Sequence, residues 1–205
     1  MDPALVLFGQ SMLIGLSIAA PVGQIGVLAI QRTLQFGPAA GLATGLGAAV
    51  ADAIYGAVGA FGITVLIAWL VDRRTSFTLV GAVVLLWMAW RIARQPPTAA
   101  RAAEANAGTL LKLFAGTFVL TLSNPTTILS FLAVFGAIAG RTAQASPWAM
   151  VAGVLVGSAL WWLLLAAVVG RLRTRFDAAW QRRVNLASAA LLAGFALWQL
   201  AQLQR

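Results

Sequence analysis

Ala20-Pro21-Val22-Gly23-Gln24 and Ser123-Asn124-Pro125-Thr126-Thr127 each lie inside a long apolar segment where an unbroken helix would be expected. Proline has no backbone N–H to donate and crowds the carbonyl one turn back, so it kinks or ends a helix. In lipid, a backbone group freed in this way costs several kcal/mol unless protein, water or ligand satisfies it. Two such defects at corresponding places in two halves of a membrane chain point to a transport site.

The sequence around the two prolines sets that membrane context. Of 205 residues, 61% are hydrophobic and 9% are charged, against roughly 25% charged in a soluble domain. The chain therefore reads as an all-α integral membrane protein, one transmembrane domain over residues 1–205. Apolar segments fall at 4–31, 38–70, 77–93, 111–139, 147–170 and 184–204. A spanning helix needs ~20 residues, so six transmembrane helices are expected, the first and fourth broken. Met1-Asp2-Pro3 lacks a positive n-region and Pro21 directly follows Ala19-Ala20, so the first segment is expected to be a retained membrane helix rather than a signal peptide.

Cysteine and histidine are both absent. Thiolate chemistry, iron–sulfur clusters and the commonest general base and metal ligand are thereby removed. No nucleophile and base pair stands out, and an enzyme, a cofactor and a metal site are not expected. The net charge is +9. The basic residues sit between apolar segments, where they set topology and meet anionic headgroups, so no nucleic-acid partner is expected. Ten of them, Arg32, Arg91, Arg94, Arg101, Lys112, Arg171, Arg173, Arg175, Arg182 and Arg183, fall on one side of a six-span arrangement, with residues 32–38 read as a short turn. Four, Arg73, Arg74, Arg141 and Arg205, fall on the other. The positive-inside rule then places both termini outside the cytoplasm. Leu172, Phe176 and Trp180 recur at helical spacing among the last arginines. They read as two helix ends with snorkelling arginines in preference to an interfacial amphipathic helix.

The two halves resemble each other. Phe8, Gly9 and Pro21 match Phe114, Gly116 and Pro125, and Pro38 and Gly47 match Pro147 and Gly157. Repeat one covers 1–94, a cytoplasmic linker 95–110 and repeat two 111–205. Three spans per half is an odd number, so the second half enters from the opposite side and the six helices form two inverted three-helix repeats.

Polar positions define the candidate site. Gly41, Gly45, Ala48, Asp52, Tyr55, Gly56 and Gly59 share a small-residue face of the second span. The glycines are expected to serve helix packing. Asp52 is the sole acidic residue well inside a span, and an intramembrane ionisable group is costly and functional by default. Thr117, Thr121, Asn124 and Thr127 share a face of the fourth span, and Gln10, Ser17 and Gln24 a stripe of the first. Trp161 and Trp162 lie mid-span, where packing is their expected role. A helix break creates a half-helix N-terminus whose N–H groups and dipole favour a carboxylate. Asp52 can pair with an ammonium or carry a proton. Together these suit a zwitterion, that is, an amino acid.

Pro21-Val22-Gly23-Gln24, Gln31-Arg32-Thr33-Leu34-Gln35-Phe36-Gly37, Gly41-Leu42-Ala43-Thr44-Gly45-Leu46-Gly47 and Ala51-Asp52-Ala53 resemble the N-terminal half of the lysine exporter (LysE) family. Leu122-Ser123-Asn124-Pro125-Thr126-Thr127-Ile128-Leu129-Ser130-Phe131 is similar to its Asn-Pro segment. The resemblance implies six spans and a bacterial inner-membrane exporter of amino acids or related metabolites coupled to the proton gradient. Many members carry Pro-x-Gly-Pro where this chain has Pro21-Val22-Gly23-Gln24. The expected substrate-binding residues are Pro21, Gly23, Gln24, Asp52, Tyr55, Thr121, Asn124, Pro125 and Thr126, with Asp52 also the proton-coupling group. The expected partners are the substrate, the bilayer and the proton gradient. The glycine pairs Gly153/Gly157 and Gly136/Gly140 permit helix contacts within or between subunits, a homo-oligomer included. A metal-cation exporter and a non-transporting membrane scaffold are the alternatives.

Overall fold

Three of the prolines open helices. Pro3, Pro38 and Pro147 each stand at a helix start, where a missing N–H costs nothing because that group has no intrahelical partner. A computed structural model describes the chain except residues 1, 22, 63–67, 70–71, 96–104, 125–126, 128–129, 132–145, 174–177 and 204–205. The described residues form helices α1 (Pro3–Ala19), α2 (Gln24–Phe36), α3 (Pro38–Ala60), α4 (Arg74–Ala93), α5 (Ala107–Leu122), α6 (Pro147–Leu172) and α7 (Ala178–Gln202). Among them there is no strand.

The first break is present. α1 stops at Ala19, α2 starts at Gln24, and the two helices meet at 78°. The bend moves the polar stripe expected along the first span. Gln10 and Ser17 are exposed, Gln24 is buried, and the buried face of α1 is instead Leu7, Ser11, Gly15 and Ala19. A second correction concerns residues 32–38, expected to be a turn: Arg32 and the residues to Phe36 lie within α2. The turn is Gly37 alone, whose φ of +95° is a conformation that glycine adopts without a Cβ clash. Four described helices are long and apolar enough to cross a membrane, or five if the bent α1–α2 pair counts as one span. The fourth expected span is described mainly as the 16-residue α5. Pro125, Thr126, Gly136 and Gly140 lie outside the described residues, as do most of the linker with Arg101, then Arg141, Arg175, Phe176 and Arg205.

Helix ends differ from the apolar segments for a simple reason: hydropathy marks what lipid covers, and a helix can run past that. α4 starts at Arg74 rather than 77, α5 at Ala107 rather than 111 and α7 at Ala178 rather than 184. Asn106 caps α5 by accepting the Thr109 N–H at 2.9 Å. α3 ends early, at Ala60 rather than 70. There Gly62 takes φ +61° and its N–H donates to the Gly59 carbonyl at 3.2 Å, a left-handed stop.

α1 packs on α6, α3 on α5 and α6, α4 on α7, and α2 on α3, α6 and α7. Leu28, Leu85, Val154 and Leu192 are fully buried between them, whereas Val83, Leu163, Leu164 and Leu197 are exposed. That outward apolar surface is the arrangement lipid requires. Arg173, at the end of α6, donates Nε to the Leu34 carbonyl at 3.0 Å and Nη2 to that of Gln35 at 3.2 Å. It thereby satisfies the C-terminal carbonyls of α2, which no intrahelical donor reaches.

Candidate functional site

The break after α1 leaves α2 with a bare N-terminus. Gly23 precedes it in an extended conformation (φ −96°, ψ −165°), and no side chain caps it. The first N–H groups of a helix lack intrahelical partners and carry the positive end of its dipole. Gly23, Gln24, Ile25 and Gly26, from this terminus, line a cavity of about 220 Å³.

Asp52 of α3 lines the same cavity and is 4% exposed. Its Oδ2 accepts the Ser158 hydroxyl at 2.8 Å, and Ser158 Oγ in turn accepts the Trp162 indole N–H at 3.2 Å. Ser158 and Trp162 are one turn apart on α6, so one helix face holds the carboxylate and walls the cavity. The other carboxylate oxygen has no hydrogen-bond partner among the described residues. Gly45, on α3, lies against Trp162 so closely that a side chain there would occupy the indole's position.

Described residues on both sides of the second expected break contribute too. Thr121 near the end of α5, then Asn124, Thr127 and Ser130, line the cavity. Thr121 Oγ1 is buried without a partner among the described residues. Gln199 of α7 joins the two breaks: its Nε2 donates to Gln24 Oε1 at 3.2 Å and to Asn124 Oδ1 at 3.5 Å. Its own Oε1 is a second buried acceptor without a partner among the described residues. An orphaned buried polar group costs about 1–3 kcal/mol, and a ligand can recover that.

Six expected site residues, Pro21, Gly23, Gln24, Asp52, Thr121 and Asn124, thus line one cavity. Pro125 and Thr126 lie outside the described residues. Tyr55 stands apart from the cavity lining: its hydroxyl donates to the Leu122 carbonyl and its ring packs 6.0 Å from that of Phe131. Its place is to satisfy a carbonyl at the end of α5. Thr117 also leaves the expected threonine face, accepting Arg32 Nη1 at 2.7 Å. Trp162, expected to pack, packs and also lines the cavity. The sequence alone does not single out Ser158 and Gln199. The available signal is an uncharged polar side chain inside an apolar span.

Residues 16–202 match the LysE type translocator family, a stretch that includes both breaks and every residue of the cavity. The chain belongs to this family. As a LysE type translocator it is a multi-pass membrane protein that handles a small-molecule substrate. "Uncharacterized membrane protein YahN" of Escherichia coli K12 is 29% identical over 171 residues, covering 81% of this translocator and 75% of YahN. "Putative amino acid efflux protein YcgF" of Bacillus subtilis 168 is 29% identical over 174 residues, covering 82% of each. "Chemotactic transduction protein ChpE" of Pseudomonas aeruginosa PAO1 is 28% identical over 199 residues, covering 94% of the translocator and 96% of ChpE. No solved structure matches the chain.

Proposed function

We propose that this translocator exports an amino acid or a related small zwitterion across the bacterial inner membrane by proton antiport. The observation that carries the reading is the polarity of the cavity. A bare helix N-terminus, which favours a carboxylate, and the free oxygen of Asp52, available to an ammonium group or a proton, line the same cavity. At about 220 Å³ the cavity is smaller than the roughly 300–1,000 Å³ of drug-sized pockets, which suits a ligand of amino-acid size. The name of YcgF, "Putative amino acid efflux protein", supports the same substrate class. A metal-cation exporter is less well supported, because such a site wants several carboxylate, thiolate or imidazole ligands and this cavity offers Asp52 with amides and hydroxyls.

A thermal-shift screen of the purified protein tests the substrate class. An amino acid present at a hundred times its dissociation constant stabilises the protein by about 2.7 kcal/mol, so one or a few amino acids should raise the unfolding temperature. Stabilisation by divalent cations alone would overturn the reading in favour of a metal exporter. Absence of any ligand effect, together with absence of flux in vesicles, would overturn it in favour of a scaffold.

The helix contacts support two inverted three-helix repeats. α1 meets α6 as α5 meets α3, while α3 with α6 and α4 with α7 pair across the halves. That is the pattern a pseudo-two-fold axis generates, and an odd number of spans per half puts the axis in the membrane plane. With ten basic residues on one side, both termini fall on the periplasmic side. A reporter fused after Arg205 that is active only in the cytoplasm should be silent, and a cytoplasmic signal would reverse the topology.

A further inference from the structure

The sequence pattern places Arg32 in a turn between spans, and the structure buries it. It is 8% exposed, and its Nη1 donates to Thr44 Oγ1 at 3.1 Å, to the Leu113 carbonyl at 3.4 Å and to Thr117 Oγ1 at 2.7 Å. All three acceptors are neutral. Nε and Nη2 have no hydrogen-bond partner among the described residues. A buried guanidinium without an anion is expensive, which makes its surroundings informative.

Arg32 lines a second cavity of about 500 Å³, separate from the one around Asp52 and bounded by α2, α4 and α5. Arg91 and Lys112 line it too, and no carboxylate among the described residues does. The one ion pair among the described residues is Arg73 with Asp72, so these three cations have no acidic partner there. Trp87, at the rim and 53% exposed, lies under Arg91 with the guanidinium 5.0 Å from its ring. The cavity does not end among polar groups. It shares Val84 and Gly116 with a third cavity of about 380 Å³ between α4 and α5. That one is walled by apolar side chains such as Val80, Val119 and Leu120. Among the described residues α4 packs on α7 and α5 on α3, which leaves this groove between α4 and α5.

We propose that the joined cavities form a binding site for an anionic phospholipid, with the headgroup phosphate held by Arg32, Arg91 and Lys112 and an acyl chain laid along the α4–α5 groove. Charge complementarity selects an anion, and the two Arg32 donors left free match the bidentate geometry of a phosphate. The adjoining apolar groove selects an amphiphile over a soluble anion, because a small oxyanion leaves that groove uncovered. Trp87 and Trp90, each under an arginine, with the Arg94 guanidinium 4.6 Å from the Trp90 ring, mark the level of the headgroups, where tryptophan concentrates. The proposal is independent of which solute the translocator moves.

Delipidated protein in detergent, titrated with phosphatidylglycerol, phosphatidylcholine or inorganic phosphate, tests it by thermal shift and native mass spectrometry. Phosphatidylglycerol should stabilise the protein and remain bound, with the other two giving little. The double variant Arg91→Gln/Lys112→Gln, at exposed positions that leave the buried core untouched, should weaken phosphatidylglycerol binding by about tenfold or more, from the loss of two charge-assisted contacts. Arg32→Gln should do the same if it folds. Equal stabilisation by phosphatidylcholine, a full effect from phosphate alone, or unchanged affinity in the double variant would each overturn the lipid site.

Discussion

Efflux from amino-acid-loaded proteoliposomes is expected to fall about ten- to a hundredfold when Asp52 is replaced by asparagine, from the loss of a charged hydrogen-bonding group worth about 1.5–3 kcal/mol. The asparagine side chain keeps nearly the same shape, and its amide oxygen can still accept the Ser158 hydroxyl that now reaches Asp52 at 2.8 Å. Folding and membrane insertion should therefore be preserved, and the loss should appear in transport. An amide cannot carry the proton, so a pH gradient that drives uphill efflux in the parent should stop doing so in the variant, while passive counterflow falls less. Asn124→Ala should lower efflux as well. It removes the acceptor that Gln199 reaches at 3.5 Å, and with it one side of the link between the two breaks. Parental rates and undiminished response to the pH gradient in Asp52→Asn would remove Asp52 from the mechanism.

Asp52 and the first break are legible in the sequence for physical reasons that do not extend to their neighbours. A carboxylate inside an apolar span is costly wherever the helices go, so Asp52 announces itself. A proline in an apolar run breaks a helix whatever packs beside it, which is why the bend between α1 and α2 can be anticipated. A serine or glutamine in a span carries a smaller penalty and has several ways to satisfy it. Which partner Ser158 or Gln199 takes depends on how the helices are placed. The stripe of Gln10, Ser17 and Gln24 shows the limit from the other side: it requires a 3.6-residue period to continue across the break, and the 78° turn cancels it. Arg32 and Tyr55 illustrate the same point. Local pattern puts one in a turn and the other on a substrate-facing surface, while tertiary packing sets Arg32 against Thr117 and Tyr55 against the Leu122 carbonyl.

The glycines give the inverted repeat its most direct physical test. A Cβ on Gly157 of α6 would lie 3.0 Å from the Leu16 nitrogen of α1 and closer still to the Met12 carbonyl. A Cβ on Gly47 of α3 would lie 3.0 Å from the Phe118 nitrogen of α5 and closer still to the Phe114 carbonyl. In each case a glycine of one half meets two backbone atoms four residues apart on the helix that leads into the break of the other half. Backbone cannot rotate aside as a flexible side chain does, so Gly157→Ala and Gly47→Ala must push whole helices apart. Overpacking of this kind costs about 1–3 kcal/mol, against a gain of about 1 kcal/mol from replacing a helical glycine by alanine. Leucine at either position should prevent the fold from forming. At Gly9 and Gly116, the other matched pair, an added Cβ would meet nothing within 4 Å, so alanine there should be neutral or mildly stabilising. Unfolding of the four alanine variants, followed in detergent by tryptophan fluorescence, should separate them into two pairs, one glycine from each half in each pair. Destabilisation confined to Gly157→Ala, with Gly47→Ala resembling the open positions, would mean that the two contacts are not equivalent and that the halves are not built to one plan.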